Sequence, residues 1–349
     1  MTIELQININ LSGEFYKSKS MNSEFRKDPV SRDWVIISPN RSKRPFQFKE
    51  NVGTKIVPQK GCPFENPQKS GNGQPVLIYP DKKNWQLQII PNKFPALTHS
   101  NKICSIPKQK GPYEIMAGNG FDELLITRNH FKNFAHLSKK AAQDVFKNLK
   151  KRYLILSKHD CLKYIFIFHN WGLKAGASIF HPHYRISALP IIPPDVSRSL
   201  YGSLRYHQDH NRCVHCDMID FERKEKKRII FENTKVIAFT PFVSREPFEI
   251  KIFPKNHISY FEESDDALIN SIVDGLQNSL LMLEKHLNDP NYNFFIHTAP
   301  LIDKNKYFHY HWHIEIVPKF SVSAGVEVGT GIEITVVDPD KAASILRRK

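Results

Sequence analysis

Long apolar runs are missing from this 349-residue chain. The densest, "YIFIF" at 164–168, is the size of one strand and far short of a bilayer span, so no membrane partner is expected. Cysteine is scarce and odd in number: Cys62, Cys104, Cys161, Cys213 and Cys216 are scattered through the chain. The N-terminus also has no basic segment leading into an apolar one. Together these exclude a secreted disulfide framework and point to a reducing, cytoplasmic setting, where C-x-x-C at 213–216 reads as metal-binding. Low-complexity stretches are absent as well.

What is abundant is positive charge. Lysine and arginine total 50 against 35 acidic residues, a formal net charge of +15. That balance suits anionic partners such as nucleotides or sugar phosphates. The lysines form no single run or stripe, so nucleic acid is not the expected partner.

The length is a soft prior for two domains or halves. Residues 1–24 alternate Ile3, Leu5, Ile7, Ile9 and Leu11 like a strand but stand apart as an extension, with Met21 a candidate start. The rest divides at the Pro-rich "LPIIPPD" (189–195) and the polar segment after it, giving halves 25–200 and 201–349.

These halves repeat one another. The first runs strand "ELLIT", Asn129-His130, a helix with Ala141, Val145, Leu149 and Tyr153 at i+4 spacing, strand "YIFIFHN", then His181-Pro182-His183. The second runs strand "FEIKIFP", Asn256-His257, a helix with Leu268, Ile272, Leu276, Leu280, Leu283 and Leu287, strand "NFFIHTAP", then His309-Tyr310-His311-Trp312-His313. Ser138 and Ser264 read as the helix N-caps. His130 to His181 spans 181 − 130 = 51 positions and His257 to His309 spans 309 − 257 = 52. Order, residue types and spacing agree, which predicts two copies of one α+β unit.

The repeat sets the metal arithmetic. Cys213, Cys216, His257 and His309 supply two thiolates and two imidazoles, a closed tetrahedral set for zinc. The bland alternative is two buried cysteines and two core histidines. In the first half the equivalent positions are Cys62, Glu65, His130 and His181. Glutamate is a less common ligand in structural zinc sites, so one zinc is expected and a second is the weaker site. His183 then stays free on the same strand face as His181. A neutral imidazole is a good nucleophile toward phosphorus, and Asn170, Gly172, Gly176 and Ser178 are small donors able to cradle phosphate oxygens.

"NWGLKAGASIFHPHYRISALPIIPP" resembles the active-site segment of the galactose-1-phosphate uridylyltransferase family. "DPVSRDWVIISPNRSKRP" (28–45) and "NKFPAL" (92–97) are similar to its nucleotide-contacting segments, and "HYHWHIEIVP" and "GVEVGTGI" to its C-terminal half. The resemblance covers roughly residues 25–349 and implies two tandem histidine-triad-like half-domains, each an antiparallel sheet with a packed helix, related by a pseudo-twofold. It implies that His183 takes a uridylyl group from UDP-glucose and passes it to galactose 1-phosphate. Arg41, Arg44, Asn92, Asn170 and Ser178 would contact nucleotide and phosphates, and a homodimer would form.

Two departures stand out. Arg185 occupies the place of a usual glutamine, with Tyr184 where a small residue is common, and Glu65 occupies the place of a second cysteine. If Arg185 faces the phosphate or turns away to a carboxylate, uridylyl transfer slows in either case, and Arg185→Gln is expected to raise it. The alternatives are an ADP-glucose phosphorylase-like adenylyl transfer, whose members resemble this chain in carrying a second C-x-x-C site, or nucleotide binding without turnover. Should His183 not be the nucleophile, His311 is the next candidate.

Overall fold

The computed structural model describes residues 22–43, 56–99, 104–320 and 322–348. Met21, most of the N-terminal extension and Arg44 lie outside the described residues. Ten strands form one sheet: β1 (Leu77–Tyr79), β2 (Leu87–Pro91), β3 (Phe121–Thr127), β4 (Tyr164–Trp171), β5 (His183–Leu189), β6 (Ile229–Glu232), β7 (Val236–Phe239), β8 (Ile250–Pro254), β9 (Tyr292–His297) and β10 (His313–Pro318). Their spatial order is β6-β7-β8-β10-β9-β4-β5-β3-β2-β1, with every neighbouring pair antiparallel.

That order is a palindrome about the β9–β4 pairing. Each half lays down five strands in the same sequence, and the two central strands pair with Tyr292 opposite Trp171 and Ile296 opposite Ile167. The repeat in the sequence is therefore a twofold in the sheet. One hydrophobic core draws side chains from both halves and runs across the junction.

Helices α1 (Lys139–Leu156), α2 (Pro194–His210), α3 (Val214–Glu225) and α4 (Asp266–Leu287) complete the frame. α1 and α4 supply that core from one face of the sheet, burying Val145, Leu149 and Tyr153 on α1 and Leu268, Ile272, Leu276, Leu280, Leu283 and Leu287 on α4. Burying such a side chain contributes about 1.5–3 kcal/mol. Ser138 caps α1 as expected, its hydroxyl accepting from the Ala141 N–H. The cap of α4 is Asp265, not Ser264: its carboxylate accepts from the Leu268 N–H at 2.6 Å, a charge-assisted bond at the positive end of the helix.

The segment after Pro193 is helix α2, where the sequence suggested a plain connection. A smaller sheet pairs Glu24–Lys27 with Trp34–Ile37 and the latter with Glu333–Thr335. Cys104 and Cys161 form a disulfide, a pairing that an odd, scattered set of cysteines did not announce.

Candidate active site

Alternation along β5 decides which side chains reach the open face of the sheet. Tyr184, Ile186 and Ala188 are buried in the core, whereas His183 and Arg185 line a cavity of about 330 Å³ on the opposite face. Tyr184 thus belongs to the core, against Phe134 and His169, and takes no part in the cavity. The neighbouring β4 brings Phe168 and Asn170 to the same wall. Ser178, Asn92, Lys93, Phe94 and Phe64 also line it. Four of the sequence-predicted binding and catalytic residues besides His183 therefore converge: Asn92, Asn170, Ser178 and Arg185. Arg41 sits on the 3₁₀ turn Pro39–Lys43 and is not among the lining residues.

The loop between β4 and β5 needs two glycines. Gly172 and Gly176 flank the turn Leu173–Ala175 with φ of +83° and +87°. A Cβ at Gly172 would also lie 2.2 Å from Asn291 Oδ1. The Asn170 amide is oriented by its neighbour: Asn293 Nδ2 donates to Asn170 Oδ1 at 2.8 Å and to the Ala175 carbonyl at 2.8 Å. With its oxygen engaged, Asn170 keeps its Nδ2 donors for a ligand.

His183 Nδ1 lies 2.9 Å from the His181 carbonyl. A carbonyl only accepts, so Nδ1 carries the proton and Nε2 is left with its lone pair. Burial is the largest influence on this imidazole and lowers its pKa, opposed by the His181 carbonyl and reinforced by the Arg185 charge. The net effect favours the neutral ring. The Phe64 ring stands edge-on to it at 5.2 Å.

Behind His183 the first ligand set is assembled as the sequence suggested. Cys62, Glu65, His130 and His181 bring four donor atoms within 4.8 Å of one another. His181 Nε2 donates to the Thr127 carbonyl at 2.7 Å and His130 Nε2 to the Val57 carbonyl at 2.8 Å, so both Nδ1 atoms face the set. Such backbone acceptors fix the tautomer a metal ligand needs. Glu65→Cys, which makes the set two thiolates and two imidazoles, is expected to tighten zinc on the order of tenfold in a chelator competition. Unchanged affinity would mean that Glu65 is not a ligand.

The second set differs from the expected one at a single position. It is Cys213, Cys216, His257 and His311, and His309 is outside it. His309 instead faces the Leu200 carbonyl of α2 through Nε2 at 3.3 Å. The spacing that favoured His309 misled because His257 to His311 spans 311 − 257 = 54 positions, three more than in the first half. In the sheet, His313 opens β10 as His183 opens β5, so His311 is the counterpart of His181. This also removes His311 as a reserve nucleophile. His257 Nε2 donates to the Phe308 carbonyl at 2.7 Å, turning Nδ1 to Cys216 Sγ at 3.4 Å. The hydrogen bond with Cys216 holds the Cys213 thiol well below its usual range and pushes Cys216 up, as when two sulfurs share one proton. Two thiols and two imidazoles, one of them oriented by a backbone carbonyl, fit zinc.

At the counterpart of the His183 cavity the second half has a space of about 340 Å³ lined by His313, His297, Glu315, Arg245 and Lys251. Its histidine is not free. His313 Nε2 meets Glu315 Oε1 at 3.3 Å, and Glu315 is held by Lys251 Nζ at 2.8 Å and Arg245 Nη2 at 2.6 Å. The counterpart of His183 is therefore held in an ion network around the buried Glu315.

The sequence pattern alone did not find Asp122. Its buried carboxylate takes both Arg185 Nε at 2.7 Å and Nη2 at 2.5 Å. Of the two orientations open to Arg185, the structure has the one turned to a carboxylate. A lone Arg185→Gln change would strand that carboxylate without its cation, which costs more than an exchanged donor can return.

The model of the galactose-1-phosphate uridyl transferase N-terminal domain matches residues 14–193. An ADP-glucose phosphorylase of Arabidopsis thaliana is 35% identical, with 94% of this chain and 93% of the relative covered. The chain belongs to the galactose-1-phosphate uridylyltransferase family.

Other family members agree over nearly the whole length. The galactose-1-phosphate uridylyltransferase of Thermotoga maritima is 28% identical over 93% of this chain and 98% of its own. The crystal structure of an Arabidopsis thaliana ADP-glucose phosphorylase with bound ADP-glucose superposes with a TM-score of 0.81 at 33% identity, covering 94% of this chain and 99% of that one. Membership makes the chain a nucleotidyltransferase, the activity that the His181-Pro182-His183 segment implied. Among the described residues, no helix is long and apolar enough to cross a membrane.

Proposed function

We propose that the protein transfers the nucleotidyl group of a nucleoside diphosphate hexose to a phosphate-bearing acceptor through His183. Nε2 attacks the α-phosphorus, a P–N bond forms as the bond to the β-phosphate oxygen breaks, and hexose 1-phosphate leaves. An oxygen of the acceptor phosphate then attacks the same phosphorus and releases His183. Asn170 and Ser178 would hold the α-phosphate oxygens, and the Nδ1–H bond to the His181 carbonyl keeps the ring aimed through both displacements. The observation that carries this reading is an imidazole oriented through its Nδ1–H and opening onto a cavity lined by small donors.

For the donor, likeness to an ADP-glucose phosphorylase at 35% identity favours ADP-glucose, with inorganic phosphate as acceptor. The second reading, uridylyl transfer from UDP-glucose to galactose 1-phosphate, is favoured by the relatives named uridylyltransferases and by the family model. Turnover is expected to be faster with ADP-glucose and phosphate than with UDP-glucose and galactose 1-phosphate by about tenfold or more. The reverse order would select the second reading, and no turnover with either pair would reject both. The proposal includes zinc at Cys213, Cys216, His257 and His311, a second and weaker zinc at Cys62, Glu65, His130 and His181, and a homodimer. Sedimentation giving a monomer at working concentration would contradict the last.

A further inference from the structure

Asp122 joins two parts of the site that come from distant parts of the chain. It lies on β3, with its side chain 1% exposed. Besides Arg185, its Oδ2 accepts from the Ala96 N–H at 2.8 Å and from Asn92 Nδ2 at 3.3 Å. Its own carbonyl accepts from the Asn92 N–H at 2.9 Å. Arg185 is two residues after the nucleophile, while Asn92, Lys93 and Phe94 form part of the cavity wall. Within that loop Asn92 Oδ1 accepts from the Phe94 N–H at 3.1 Å, so the turn hangs on Asn92.

We propose that Asp122 is a positioning residue, which with Arg185 braces the loop Asn92–Leu97 against the nucleophile strand and so sets affinity for the nucleotide sugar. The inference rests on the reading of this cavity as the nucleotide-sugar site. Physically, a buried carboxylate bonded to one guanidinium, one backbone N–H and one side-chain amide resists loss of any partner, because the remaining charge has no water to turn to. The residue two places after His183 thereby acts on the loop, where a neutral donor would act on the phosphate.

The test uses the full-length protein. Asp122→Asn keeps the shape and removes the charge; it is expected to raise KM for the nucleotide sugar about tenfold. Turnover at saturation should stay within about threefold, since the bond to phosphorus does not involve this group. The pair Asp122→Asn with Arg185→Gln restores a neutral match and should return KM to within about threefold of the starting value. Amide hydrogen exchange at Ala96 supplies a readout independent of activity: faster exchange in Asp122→Asn is expected. Unchanged exchange at Ala96, or a loss of turnover at saturation with KM unmoved, would overturn the inference. If the unmodified protein acts on neither nucleotide sugar, the functional reading fails and the exchange result still decides whether Asp122 holds the loop.

Discussion

Replacing His183 with alanine is expected to lower nucleotidyl transfer at least ~10⁴-fold while the nucleotide sugar still binds within a few-fold. The asymmetry follows from what the imidazole does. Its bond to phosphorus exists only along the reaction path, so removing it costs the transition state and the intermediate and spares the ground state. The rest of the cavity does not depend on it: Asn170 is fixed by Asn293, and Arg185 by Asp122. Calorimetry for binding and a burst of hexose 1-phosphate for the first displacement separate the two effects. Retained turnover would move the nucleophile elsewhere, and two of the three histidines at 309–313 are already engaged. His311 belongs to the thiolate set and His313 is tied to Glu315.

The second large effect concerns the metal. Cys216→Ser is expected to remove about one equivalent of zinc and to lower Tm by ~10 °C or more, because a closed site returns much of its binding free energy as folding free energy. The set ties the N-terminus of α3, through Cys213 and Cys216, to the loops carrying His257 and His311. Without the ion, two sulfurs and two imidazoles are left facing one another. Cys62→Ser is expected to cost less, since that set already substitutes Glu65 for a thiolate. Metal analysis finding under about half an equivalent of zinc in protein purified without chelator would contradict the assignment of the Cys213 set.

The strand–helix–strand run shared by the halves was legible because each half repeats it, whereas helix α2, which has no counterpart in that repeat, was not. His183 was legible because period-two alternation puts it on one face with Arg185 and away from Tyr184. His309 was misassigned because His309, His311 and His313 alternate, so periodicity cannot choose among them and the choice fell to a spacing count that is three positions longer in the second half. The pairing of His313 with His297 chooses. Ser264 and Asp265 are adjacent capping types, and one residue separates the right choice from the wrong one. Asp122 carried no signal, since an acidic residue beside Glu123 on a strand reads as solvent-facing. Its partners, Ala96 and Arg185, lie 26 and 63 positions away.

The central claim is that His183 carries the nucleotide covalently. Mixing the protein with ADP-glucose without acceptor, quenching, and mapping the adduct by peptide mass spectrometry tests it most directly, with UDP-glucose run in parallel. The account predicts an acid-labile nucleotidyl group on the peptide containing His183, lost when inorganic phosphate is added and absent in His183→Ala. Steady turnover with no adduct on that peptide at any time, or an adduct that persists in His183→Ala, would contradict it.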